Sequence, residues 1–445
     1  MTNHTPQSVD SLHAALTLEA MRLGVVPPSD LEQSTVGRDV EIDVVRRDLE
    51  QATVSGARRA FLGDYGLGKS HMLELIEQIA LKQNFLVSKV TLDHAELSPS
   101  QPKRIYHAVL RNLIYPDRPK SLDGIAPLLE KAANCEEVLK KFAIKSDKPM
   151  PRSVREQLAM GLHLYLSPAI AYTRALADEE HLRLPAHVGD KHAWIQTARH
   201  MLIDWIEGHP TQSNQDINDE LNLIHGRFPK IYSLLDYRPW AKIYAYIING
   251  ISQLAKDVGY AGLVVVLDEA EFYSLLSSQN RMFAKSLFQA WSHAVCAEGE
   301  GDLPCSSDEL LTGGYGIQRE LPTRYSDTPG LYLVFAMTPN TDGIRVLQDA
   351  LAPQYICFLN QLTAPDYLQM TAHLVDLYRH AYPSAVIPDG IEAPLSDVVN
   401  ALTQQGQLAN PRQTMKFLTE FLDLVRFEPQ KLPEVIENLM FDSDF

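Results

Sequence analysis

The spacing of apolar positions gives the first outline of the chain. Residues 11–24 carry Leu12, Leu16, Ala20 and Leu23 on one stripe, the period of an amphipathic helix, and the run Val25-Val26-Pro27-Pro28-Ser29 ends it. A second helical period passes through Val44, Val45 and Leu49. Arg59-Ala60-Phe61-Leu62 is short and apolar and leads at once into Gly63–Ser70, after which 71–82 returns to helical spacing. A strand, a glycine-rich loop and a helix are expected there in that order. Phe85–Leu92 is apolar and β-branched and reads as a second strand. From about 103 to 256 the pattern is helical and irregular, and no strand is expected before residue 262. Leu263-Val264-Val265-Val266-Leu267 is a continuous apolar run, the mark of a parallel strand covered on both faces. A helix over 281–297, a loop rich in Gly, Ser, Pro and Asp over 299–329, and a second buried strand over Leu331–Met337 follow. From Ala364 onward only helices are expected, broken near Pro383, Pro388 and Asn410-Pro411.

Buried strands alternating with helices predict an α/β fold, in which a parallel sheet lies between two helical layers. Composition agrees: of 445 residues, 45% are hydrophobic and 22% charged, ordinary values for a globular chain. No apolar run approaches the roughly 18 residues of a membrane span. The polar stretch Met1–Asp10 lacks the apolar core of a signal peptide, so a cytoplasmic protein is expected. Cys135, Cys296, Cys305 and Cys357 have neither CxxC spacing nor the density of a disulfide scaffold and are read as thiols. The formal net charge of −16 opposes broad, sequence-independent binding to nucleic acid, which draws on many Lys and Arg contacts to phosphate. One local patch remains a candidate for DNA. In 131–155, Lys140, Lys141, Lys145, Lys148, Arg152 and Arg155 outnumber the acids, although such runs are most often solvated helix faces.

The chemistry concentrates in the glycine-rich loop. Gly63-Asp64-Tyr65-Gly66-Leu67-Gly68-Lys69-Ser70 fits G-x-x-x-x-G-K-[ST] at every fixed position. Glycines let backbone N–H groups curl around phosphate oxygens, and the following helix, through His71, turns its positive end to the anion. Lys69 is placed to reach the β- and γ-phosphates of ATP, and the Ser70 hydroxyl to hold Mg²⁺. A second half is needed for hydrolysis. The strand Leu263–Leu267 runs into Asp268-Glu269, and ligands of parallel sheets lie at the C-terminal ends of strands. Asp268 is the candidate for the Mg²⁺ shell and Glu269 for the general base that polarises water; Glu271 is a weaker candidate. Thr338 and Asn340 follow the strand Leu331–Met337 as polar sensors of the γ-phosphate, unless Thr338-Pro339-Asn340 is simply a turn. Arg412 opens a helix after Asn410-Pro411 and is a candidate to fold over the nucleotide. Val36-Gly37-Arg38, with Glu41, precedes the loop by about 26 residues, a spacing that resembles that of the adenine-contacting loop of origin-recognition-like ATPases and so makes it a candidate contact for adenine. No N-K-x-D guanine box is present.

This order of motifs resembles AAA+ ATPases of the origin-recognition and STAND-related branch. The phrase Leu16-Thr17-Leu18-Glu19-Ala20-Met21-Arg22-Leu23-Gly24-Val25-Val26-Pro27-Pro28, followed by Val36-Gly37-Arg38, further resembles the ATP-binding proteins of BREX phage-defence islands, most closely the BrxD type in size. The similarity spans residues 16–115 and 239–425. It implies a three-layer P-loop NTPase core of AAA+ type with a C-terminal helical lid, and a slow bacterial ATPase of anti-phage defence. It also implies a helicase or other defence-island proteins as partners; a homo-oligomer is a separate candidate, and the sequence does not reveal the oligomeric state. The expected division is an N-terminal helical arm (1–35), an ATPase core (36–115 and 239–362), a helical insertion (116–238) and a lid (363–445). The chain departs from AAA+ rings in one respect: Ala350-Leu351-Ala352-Pro353-Gln354-Tyr355 holds no arginine where a neighbour's finger is usual, which leaves Arg345 and Arg324 as substitutes. Three activities compete on this reading. A motor or loader that remodels a DNA-bound complex stands first; a nucleotide-gated scaffold or switch and a small-molecule kinase using the same loop are the rivals.

Overall fold

The computed structural model describes residues 9–25, 31–119, 122–142, 144, 153–184, 188–209, 214–221, 224, 228–295, 303–306, 309–310, 320–408 and 410–441. Helices α1 (Val9–Arg22), α2 (Leu31–Ser34) and α3 (Asp39–Ser55) lead to strand β1 (Ala57–Leu62), and α4 (Lys69–Lys82) to β2 (Phe85–Thr91). After α5 (Pro102–Arg111) and β3 (Leu113–Ile114) come α6 (Ala126–Ala133), α7 (Glu136–Lys141), α8 (Val154–Ala159), α9 (Leu166–Ala177), α10 (Lys191–Ile206) and α11 (Asn214–Leu221). Then α12 (Ala241–Asp257), β4 (Gly262–Asp268), α13 (Ser278–Val295), β5 (Leu331–Met337), α14 (Thr341–Gln348) and β6 (Ile356–Phe358) complete the strands. The chain continues through α15 (Ala364–Ala381), α16 (Glu392–Gln404), α17 (Pro411–Phe427) and α18 (Leu432–Phe441).

The described residues fall into two compact units. One draws on Met1–Val45, Gly63–Gln78 and Phe358–Phe445, the other on Arg46–Leu62 and Ile79–Cys357. The second holds the sheet, ordered β3-β2-β4-β5-β1-β6, with β2, β4, β5 and β1 parallel and β3 antiparallel to β2. This is the mixed α/β fold of P-loop NTPases. Period-two alternation explains its layers. On β4, Leu263, Val265 and Leu267, and on β5, Leu331, Leu333, Phe335 and Met337, join one large core with α12 and α13. The intervening Tyr332 points the other way, where its hydroxyl donates to Asp48 of α3. The register pairs Leu62 with Met337, Leu267 with Phe335 and Thr91 with Asp268. The C-terminal ends of β1, β5, β4 and β2 therefore lie along one sheet edge.

Helices α5 to α12 enlarge the core of this unit. The Glu207 carboxylate, almost fully buried, accepts the Ile125 N–H at the start of α6 and pairs with Arg111. His163 caps α9 by accepting the Tyr165 and Leu166 N–H groups on Nδ1, and its ring stacks 4.2 Å from that of Tyr246. The first unit has its own core, in which Leu18 and Met21 of α1 pack with Leu374 and Val375 of α15, Val399 of α16 and Leu418 and Leu422 of α17.

Three expectations need correction. On α1 the predicted stripe is not the buried face: Leu12, Leu16 and Leu23 are exposed, and Ala14, Leu18 and Met21 face the core. A strand does occur before residue 262: β3 pairs Leu113 and Ile114 with Ser88 and Val87. It is too short to carry a period. β1 begins at Ala57, not Arg59, because its two arginines are sheltered. Arg58 is buried with its guanidinium over the Tyr355 ring, and Arg59 makes a two-pronged pair with Asp48 at 2.5 and 2.7 Å.

Candidate nucleotide site

In the first unit, Gly63–Ser70 leads into α4, as the motif requires. Gly66 has φ +85, and a Cβ there would lie 2.4 Å from Cγ of Asn410, so only glycine fits beneath that side chain. Asn410 in turn caps α17, its Oδ1 accepting the Gln413 N–H at 3.1 Å. Gly68 also has positive φ. Lys69 Nζ donates to the Gly63 carbonyl at 2.8 Å, which bends the lysine back across the loop. Asp64, Tyr65 and Ser70 are exposed, and Leu67 is buried.

The loop is braced from behind by Val36-Gly37-Arg38. Val36 is buried. Arg38 is only 6% exposed, and its guanidinium donates to the carbonyls of Leu67 and Asn360, each at 2.8 Å, and to Glu41 at 3.3 Å. The Arg38 side chain is thus engaged with the protein itself, and the geometry makes it a brace of the loop. A Cβ on Gly37 would meet Asp366 and Leu362 at 2.8 Å. His71 is linked to the same segment. The Thr35 hydroxyl donates to the Leu31 carbonyl at 2.5 Å, so the imidazole Nε2, 2.7 Å away, must be the donor to Thr35. Burial, reinforced by the Arg38 charge and opposed by Glu74, lowers the His71 pKa to about 4, which keeps the ring neutral near pH 7. Arg412, the first charged residue of α17, sets its guanidinium 5.4 Å from the centroid of the Tyr65 ring and donates to the Tyr65 hydroxyl at 3.0 Å. Asn410, Asn360 and Thr35 are contacts that motif spacing did not reveal, because each depends on tertiary packing.

In the second unit, β4 delivers Asp268 and Glu269 to the sheet edge. Asp268 Oδ1 accepts the Glu269 N–H at 2.8 Å. Glu269 is left-handed, φ 59 and ψ 35, a conformation that a side chain with a Cβ adopts at a cost of about 1 kcal/mol. Such strain at a strand end is characteristic of functional positions. Glu271 is the second residue of the 3-10 turn Ala270–Leu275, and its Oε2 is buried with no hydrogen-bond partner among the described residues. Thr338 is half-buried and follows β5 directly. Asn340 caps α14, its Oδ1 accepting the Gly343 N–H at 2.7 Å. The turn reading of Thr338-Pro339-Asn340 and the sensor reading are both compatible with this, since capping occupies only the amide oxygen.

Of the finger substitutes, Arg345 is exposed on α14. Arg324 is not available to a neighbour: it is 9% exposed, donates to the His293 carbonyl at 3.1 Å and pairs with Asp327. In the basic patch, Lys141 is paired with Asp257 at 2.8 Å and Lys140 is exposed, while Lys145, Lys148 and Arg152 lie outside the described residues. No group of His, Cys, Asp and Glu that could hold a metal by itself occurs among the described residues. No described helix is long and apolar enough to cross a membrane.

Comparison with known proteins supplies the missing context. The family described as BREX system ATP-binding protein BrxC/D matches residues 10–291, most of the chain. The chain belongs to that family. ATP binding, and a place among the proteins of a BREX phage-defence system, follow from membership. The matched span takes in α1, the glycine-rich loop and the acidic end of β4. None of the curated proteins matches the chain.

Proposed function

We propose that this BREX family member binds ATP with Mg²⁺ on Gly63–Ser70, hydrolyses it slowly, and uses the cycle to remodel or load a DNA-associated complex of the defence system. The reading rests chiefly on one observation: a G-x-x-x-x-G-K-S loop leaves the end of β1, and β4 ends in Asp268-Glu269 on the same sheet edge as β1. Lys69, the loop N–H groups and the start of α4 take the phosphates. The Ser70 hydroxyl and the Asp268 carboxylate are hard oxygen donors of the kind Mg²⁺ prefers, and they are the groups that would hold it; the ion supplies charge neutralisation at the phosphates. Glu269 takes the proton of the attacking water, and Thr338 or Asn340 reads the γ-phosphate. Arg412 leaves Tyr65 for phosphate, and Val36-Gly37 lies against the base. The 116–238 stretch is an insertion into the core, and Arg345 is the arginine offered to a second copy.

A second reading, a nucleotide-gated scaffold, draws support from the burial of Arg324 and from a 350–355 segment without arginine. The Glu269→Gln variant separates the two. A motor loses phage protection while still binding ATP, whereas a scaffold keeps protection or stays permanently on. ATPase rate against protein concentration, with and without single- and double-stranded DNA, tests the rest. A concentration threshold is expected if Arg345 acts in trans, and stimulation by DNA is expected if DNA is part of the complex. A rate that is flat with concentration and blind to DNA would remove both features.

A further inference from the structure

The first helix ends beside the arginine at the start of α17. The end of α1 is a glycine cap: the Gly24 N–H donates to Met21 O at 2.9 Å and the Val25 N–H to Ala20 O at 2.8 Å, with Gly24 at φ +67. Such a cap requires a left-handed residue and nothing more. Gly24, however, also lies under the stem of Arg412. A Cβ at position 24 would stand 3.1 Å from Cγ, 3.2 Å from Cδ and 3.5 Å from Nε of Arg412. With its stem laid on Gly24, Arg412 carries its head over the exposed ring of Tyr65 in the phosphate loop. The helix that presents Gly24 is itself fixed to α17, because Arg22 pairs with Asp423 at 2.5 Å and with Glu19 at 2.7 Å. Asp423 also accepts from the Tyr378 hydroxyl at 2.7 Å, which ties α15 to the same point.

We propose that Gly24 is a positioning residue for Arg412: the bare backbone at the end of α1 sets the course of the arginine stem, and so decides whether its guanidinium reaches the phosphate loop. The inference rests on the reading of Arg412 as a phosphate-facing arginine. Its physical basis is that a long side chain keeps its entropy until something confines it. Confinement by a flat glycine surface leaves the stem extended, while any Cβ there pushes the stem aside by several tenths of an ångström or into another rotamer. The end of the N-terminal helix thereby becomes a specificity element for the triphosphate over the diphosphate. Its influence runs through the Arg412 side chain.

The test uses the full-length protein and the affinities for ADP and for an ATP analogue with a non-hydrolysable β–γ bridge. Gly24→Asn is the informative variant, because asparagine tolerates the left-handed conformation and keeps the cap while adding bulk against Arg412. Arg412→Ala is expected to lower the ATP-analogue to ADP affinity ratio by roughly tenfold or more, the loss of a charge-assisted hydrogen bond. Gly24→Asn is expected to lower the same ratio several-fold with ADP affinity and thermal midpoint unchanged, and to add nothing in the Arg412→Ala background. Two outcomes overturn the proposal while leaving Arg412 in its role: a wild-type ratio in Gly24→Asn, or an equal loss with and without Arg412. An Arg412→Ala variant with a wild-type ratio removes the reading of Arg412 and the proposal with it. Gly24→Ala, which strains the cap as well, serves as the reference for a purely structural defect: it is expected to lower the thermal midpoint where Gly24→Asn does not.

Discussion

The two units differ in the setting of their candidate site residues. In the first, charged and polar side chains around the phosphate loop are spent on backbone: Arg38 on two carbonyls, Lys69 on Gly63, Asn410 on a helix N-terminus. In the second, Glu269 at the end of β4 sits on a left-handed backbone, and one carboxylate oxygen of Glu271 is buried without a partner among the described residues. On the proposed function, bracing suits a loop that holds phosphate. On the same proposal, a strained backbone at the end of β4 suits residues that act in turnover.

If that contrast is right, damage to the two units should have different signatures. Glu269→Gln should cut turnover by about 10³-fold or more, on the scale of losing a group that acts only in the transition state, with ATP affinity preserved. Steady-state ATPase assays beside equilibrium titration would check it. Lys69→Ala should do the reverse. The thermal stabilisation given by ATP, roughly 4 kcal/mol at about 1,000 times Kd, should vanish, and a shift equal to wild type would refute the assignment of the loop. Asp48→Ala breaks a buried pair with Arg59 and strips Tyr332 of its acceptor, so it should destabilise the sheet unit by about 3 kcal/mol in denaturant melts.

Acid should affect both units through buried histidines. His71 in the first is lowered to about 4 and His163 in the second to about 3, in each case chiefly by burial. A ring kept neutral in the fold and charged in the unfolded chain contributes no penalty above pH about 6.5. As pH falls below that value, the unfolded state gains a proton first, and stability drops by roughly 3 kcal/mol for His71 and about 5 kcal/mol for His163 before the folded ring itself titrates. Melts from pH 7 to 4 should show this, and His71→Gln should flatten the part owed to the first unit. The smallest effect is the most pointed. Glu269→Gly should raise stability by up to about 1 kcal/mol through relief of the left-handed backbone, while abolishing turnover.

How much of this was legible in the sequence depended on whether the information was local. β4 and β5 were readable because a fully covered parallel strand is apolar on both faces, and α17 because Asn410-Pro411 is a helix start written in two residues. β6 and β3 were not, since two or three residues carry no period. The two arginines hid the first half of β1, because nothing local announces that Asp48 and Tyr355 will shelter them. In the candidate site, the residue types at the loop and at the end of β4 were legible. Their use was not: that Arg38 braces the loop, that Arg324 is enclosed and that Asn410 presses on Gly66 all follow from packing between distant segments.

The packing of α1 with α15, α16 and α17 has a consequence for how the protein is made. Helix α1 finds its apolar partners only after position 364 has been synthesised, so the first unit cannot close before that point. Every residue assigned to the sheet unit precedes that point. The nascent chain would therefore complete its sheet before the first unit can close around α1.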